Sequence, residues 1–230
     1  MITLSDLKKE LKSKADPEKA KLLQRFFKTG PDEYAQGDIF YGVMVPETRQ
    51  VAKKYSGLSL NETVSLLHSK IHEERLVALL ILVSKFEAGE KDRVYRLYLK
   101  NTKYVNNWDL VDLTAHKIMG CYLINKPKNI LYKLARSKNL WERRMSLIAT
   151  FYFIKENKFK DSLKLAETLL YDKHDLIHKA LGWMLREIGK KDLKTEEKFL
   201  RKYYKVMPRT ALRYAIERFP ERKRKWYLAR

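Results

Sequence analysis

Apolar residues recur along this chain at the three- and four-residue spacing of amphipathic helices. Leu4, Leu7 and Leu11 make one stripe, and Leu22, Leu23, Phe26 and Phe27 make another. Two stretches, Arg75 to Phe86 and Met145 to Ile154, are apolar nearly all round, which predicts helices buried on every side. The few glycines and prolines fall mostly between these segments, at Pro17, Gly30-Pro31, Gly42, Pro46, Gly57, Gly89, Pro127, Pro208 and Pro220. Such residues mark where helices end and begin. No convincing run of alternating strand residues and no glycine-rich phosphate loop interrupts the pattern. The expectation is an all-α chain, and a mononucleotide-binding fold is disfavoured.

Helices following one another at short spacing raise the question of repeats. When the second helix of each presumed pair is aligned on its apolar pattern, Arg75, Asp112, Arg144, Lys179 and Arg213 fall at matching positions, separated by 37, 32, 35 and 34 residues. That is a helical-repeat period, and stacked repeats bring matching positions into a row on one curved surface. One repeat domain over residues 1–230 is the expectation, with an irregular bundle as the competing architecture.

Charge narrows the partner. Forty-nine Lys and Arg against 28 Asp and Glu give a formal net charge of +21, far beyond what solubility requires, and a polyanion such as nucleic acid explains it. Lysine-rich composition without such a partner is the bland reading. Cys121 is the only cysteine, so one chain holds neither a disulfide framework nor a CxxC zinc site, and a reducing compartment is expected. The N-terminus lacks an apolar signal core and no run of about 18 apolar residues occurs. A cytoplasmic protein with no membrane association and no obligate protein partner, hence a monomer, is expected.

The stretch Asn106-Asn107-Trp108-Asp109-Leu110-Val111-Asp112-Leu113 stands out. In a helix, Trp108 and Asp112 share one face at i,i+4 while Leu110, Val111 and Leu113 can point elsewhere into a core. Asp112 is also the one acidic member of the otherwise basic row, where a carboxylate repels phosphate. It needs a cation, which is either Arg144 in a structural salt bridge or a positively charged substrate; both readings stand. Further on, Lys179, Trp183 and Arg186 recur at i, i+4 and i+7 on one helical face. Gly182 beside them costs about 1 kcal/mol of helix propensity, which close packing or ligand approach would explain. Two tryptophans near a carboxylate and Arg144 suit a flat cation, attracted to ring faces by about 0.5–2 kcal/mol.

Six motifs in order resemble those of the AlkD-like DNA alkylation repair family. They are Phe40-Tyr41-Gly42-Val43 with Val45-Pro46-Glu47-Thr48-Arg49; His72-Glu73-Glu74-Arg75-Leu76-Val77-Ala78-Leu79; Asn107-Trp108-Asp109-Leu110-Val111-Asp112; Leu140-Trp141-Glu142-Arg143-Arg144; Lys179 to Glu187; and Arg209 to Glu217. The resemblance implies a right-handed superhelix of HEAT-like antiparallel helix pairs with a concave basic groove. It implies a glycosylase that removes cationic N3- or N7-alkylated purines from double-stranded DNA without a deep base-flipping pocket, or else a non-catalytic DNA-binding relative. Asp112 would then be the catalytic carboxylate, with Trp108, Trp183 and Arg144 at the lesion. Lys179, Arg186, Arg75, Arg209 and Arg213 would lie on the DNA-binding face. No metal or organic cofactor is expected, because an alkylated purine already leaves readily and Asp112 need only stabilise the developing charge on the sugar.

Overall fold

The computed structural model of the protein describes residues 2–229. The chain is 70% helical, and β structure among the described residues amounts to one bridge, Ile39 with Ile71. Backbone contacts divide it into two compact units, Met1–Thr114 and Ala115–Arg230.

The first unit holds α1 (Leu4–Ser13), α2 (Pro17–Phe26), α3 (Val45–Lys54), α4 (Leu60–Leu67), α5 (His72–Glu87), α6 (Lys91–Lys100) and most of α7 (Trp108–Ala115). Helix starts follow capping chemistry. Asp16 accepts from the amides of Glu18 and Lys19 with Pro17 in the first turn of α2, and Ser59 and Glu62 cap one another reciprocally at α4. Twelve of the 16 residues of α5 are buried, as the all-round apolar pattern predicts, and α3, α4 and α6 pack against it. Truncating Leu79, fully buried here, to Ala would cost about 2–5 kcal/mol. The second stripe behaves otherwise: Leu22 and Phe26 are 63% and 62% exposed and only Phe27 is buried. The apolar face of α2 is therefore only partly covered.

The second unit opens with a π-helical turn (His116–Gly120) that continues α7. There follow α8 (Cys121–Leu123), α9 (Asn129–Leu134), α10 (Leu140–Lys155), α11 (Lys160–Thr168), α12 (Asp175–Lys191), α13 (Leu193–Tyr203), α14 (Arg209–Ala215) and α15 (Glu221–Leu228). The π turn packs on α10, α10 on α12, and α12 on α14. Two of these contacts use glycine. A Cβ on Gly120 would lie under 3.0 Å from the Ala149 carbonyl and Tyr152, and one on Gly182 would meet the Ala211 carbonyl and Tyr214 equally closely. Both glycine and neighbours are shifted by the same 62 residues. This is a repeat two helix pairs long, and it makes the fold a helical-repeat fold rather than an irregular bundle. It also answers the question posed by Gly182: close packing, not ligand approach, fills the space beside it.

Candidate functional site

Three sequence motifs of the first unit converge on one another. Glu73, at the start of α5, is 2% exposed and accepts hydrogen bonds from the backbone amides of Tyr41, Gly42 and Val43 at 3.0, 2.8 and 3.2 Å. A buried carboxylate needs such donors, and the loop in turn needs a partner for three amides. Gly42 is required twice over, by a φ of +86° and by the Asp16 carbonyl, which any Cβ would strike. The same junction pairs the His72 amide with the Ile39 carbonyl at 2.8 Å.

His72 is the centre of a buried ionic cluster. Its Nε2 lies 2.8 Å from Asp109 on α7 and its Nδ1 lies 3.4 Å from Asp38. Arg75 reaches the same Asp38 oxygen at 2.7 Å, and Asn106 donates to the other at 3.2 Å. Burial opposes charge on His72, but Asp109 and Asp38 outweigh it and raise the imidazole to about 9. Asp38 is pushed up by burial, yet His72 and Arg75 hold it below the usual carboxylate range. The first turn of α7 is thus tied to α5 and to the Asp38 loop by charge.

That anchoring sets the site on α7. Leu110 and Val111 are fully buried while Trp108 and Asp112 are half-buried on the other side, as their spacing predicts. Leu113, expected in the core, is instead half-buried and lines the same cavity as Trp108 and Asp112, one residue on from Asp112. Trp108 is not simply presented: its ring stacks on Phe27 at 5.1 Å and 17° and meets Phe26 edge-on at 5.8 Å. His72 continues the stack on Phe40 at 4.5 Å. Phe26, Phe27, Phe40, Val43, Met44 and Trp108 line an apolar cavity of about 350 Å³ whose lining also includes Asp112. An aromatic wall beside a carboxylate is complementary to a flat cation. The Phe26–Phe27–Phe40 wall and the Asp38–His72–Asp109 cluster were not singled out from sequence. The paired phenylalanines of an apolar stripe read as core, and nothing local marks a histidine for burial between acids.

Arg75 and Arg144 are the buried members of the predicted basic row. Arg75 is 3% exposed and committed to Asp38 and to the Ser69 carbonyl at 3.0 Å, which makes it a strut of this unit. In the second unit, Arg144 is buried and donates to the Leu176 carbonyl. Lys179 pairs with Asp175 at 2.8 Å. Trp183 is half-buried, tilted against Phe151 at 5.6 Å, and donates from Nε1 to Glu187 at 3.1 Å. Arg186 pairs with Glu217, and Arg209 donates to the Leu228 carbonyl at 2.7 Å. Arg213 is exposed.

An all-helical repeat protein with a carboxylate and a tryptophan on one helix, set against an aromatic wall from neighbouring segments, is the class these features define. The family model described as DNA alkylation repair enzyme matches residues 7–219, and the chain belongs to that family. Among solved structures, a predicted DNA alkylation repair enzyme from Enterococcus faecalis is similar in fold, with a TM-score of 0.74 and 18% identity over 90% of this chain and 98% of that one. No curated protein matches the chain by sequence.

Proposed function

We propose that the protein is a DNA glycosylase of base excision repair, hydrolysing the N-glycosidic bond of cationic N3- or N7-alkylated purines in duplex DNA. The observation that carries this reading is the pairing of Trp108 and Asp112 on one face of α7, against an aromatic wall, in a chain of the DNA alkylation repair family. Alkylation places positive charge on the purine. When the bond from C1′ to the base nitrogen breaks, its electron pair neutralises the base and positive charge moves to the sugar. Asp112, as the anion, stabilises that charge and orients the water that adds to C1′ and then loses a proton. A unit charge pair about 4 Å apart at an effective dielectric near 20 is worth about 4 kcal/mol, or about 10³ in rate. The reaction balances with water alone.

Trp108 holds the cationic base through its ring face, and Trp183 and Arg144 take the lesion contacts that the family resemblance implies. Lys179, Arg186, Arg209 and Arg213 are assigned to the DNA backbone; exposed Arg213 meets that role without leaving a partner. Arg75 is reassigned to the support of α7 through Asp38. The test is incubation of purified protein with duplexes carrying 7-methylguanine or the uncharged lesion 8-oxoguanine. Free 7-methylguanine with no 8-oxoguanine supports the reading. Tight duplex binding with neither base released replaces it with a non-catalytic DNA-binding protein.

A further inference from the structure

The last helix of the second unit carries a surface that the site above does not use. Helix α15, Glu221–Leu228, lies beyond residues 7–219 that the family model matches. Its sequence, Glu221-Arg222-Lys223-Arg224-Lys225-Trp226-Tyr227-Leu228, is basic with two aromatics. Tyr227 is the anchor: 1% exposed, edge-on to Tyr204 at 5.5 Å and to Phe219 at 5.8 Å. Arg209 holds the end of the helix through the Leu228 carbonyl, and Lys223 pairs with Glu197 of α13. Trp226, by contrast, is 58% exposed although its ring is already ordered, stacked on Tyr204 at 5.4 Å and 26°. Arg222 precedes it by four residues and so shares its helical face. Arg222, Arg224 and Lys205 are all exposed.

An exposed, pre-ordered indole is costly to leave in water, and a guanidinium one turn away on its face asks for an anion. Along a duplex the base faces are stacked on one another, so such a surface meets phosphates, sugars and groove edges but no open π face. A strand with unpaired bases offers a flat π face and a phosphate within one nucleotide. We propose that the Trp226–Tyr204 stack with Arg222 is a binding platform for single-stranded DNA, on which one unpaired base stacks on Trp226 while Arg222 engages its phosphate. The proposal rests on DNA as the partner and not on base excision.

The experiment measures binding of the full chain to labelled oligo-dT and to a blunt duplex of equal length. Base–aromatic stacking contributes about 1–3 kcal/mol per base. Trp226→Ala should therefore weaken oligo-dT binding about tenfold while duplex binding stays within about twofold. Trp226→Phe should recover most of the loss, and Arg222→Ala should lower the single-strand salt slope by about 0.7. Oligo-dT should also quench wild-type tryptophan emission more than that of the Trp226→Phe protein, a readout that survives if the alanine variant folds poorly. Unchanged oligo-dT affinity in Trp226→Ala, equal losses for both DNA forms, or equal quenching in wild type and Trp226→Phe would each overturn the platform. None of these outcomes bears on 7-methylguanine release, so the two readings fail separately.

Discussion

His72 keeps a proton that its surroundings oppose. It is 2% exposed, and burial favours the neutral ring, yet Asp109 and Asp38 bring it to about 9. The folded-state value is above the unfolded one near 6.5, so its contribution to stability is complete below about pH 6.5 and is lost as pH rises through about 9. Urea unfolding should show the wild type losing on the order of 1–3 kcal/mol between about pH 6 and about pH 9.5. His72→Gln, less stable at the lower pH, should lose much less over the same interval. Equal losses would show that Asp109 and Asp38 do not hold a charged imidazole. The consequence reaches the site because Asp109 lies in the first turn of the helix whose next turn carries Asp112.

At the scale of elements, Gly182 makes the packing of α12 on α14 testable. Alanine at this position gains about 1 kcal/mol of helix propensity, but its Cβ would strike the Ala211 carbonyl and Tyr214. Overpacking against backbone costs about 1–3 kcal/mol or more. Gly182→Ala should therefore be destabilised in urea, and a stabilised variant would mean that the helices separate cheaply. The helices themselves were legible in the sequence because burial imposes period: α5 and α10 read as apolar all round and are buried nearly all round. The stripe of α2 has the same period but is left partly uncovered, because period reports which face is apolar and not what covers it. The π turn at His116–Gly120 also escaped, since a single turn is too short to show a period of its own. Trp108 and Asp112 were legible because four-residue spacing is local. Asp38, His72 and Asp109 were not, because they come from segments 34 and 37 residues apart.

For the whole molecule, the net charge of +21 sets how DNA is met. Duplex affinity should fall with salt at a log–log slope of about −0.9 per neutralised phosphate, so six contacts give about −5; salt-independent binding would remove charge pairing from the account. Among the described residues no helix is long and apolar enough to cross a membrane. Asp112 is proposed to act through its charge, and single-turnover release of 7-methylguanine by Asp112→Asn measures what that charge contributes. The substitution keeps the size and removes the anion. With a melting curve matching wild type, release should slow by about 10³ while duplex binding persists or tightens, one repulsion with phosphate having gone. A folded Asp112→Asn protein that releases the base as fast as wild type would contradict the account.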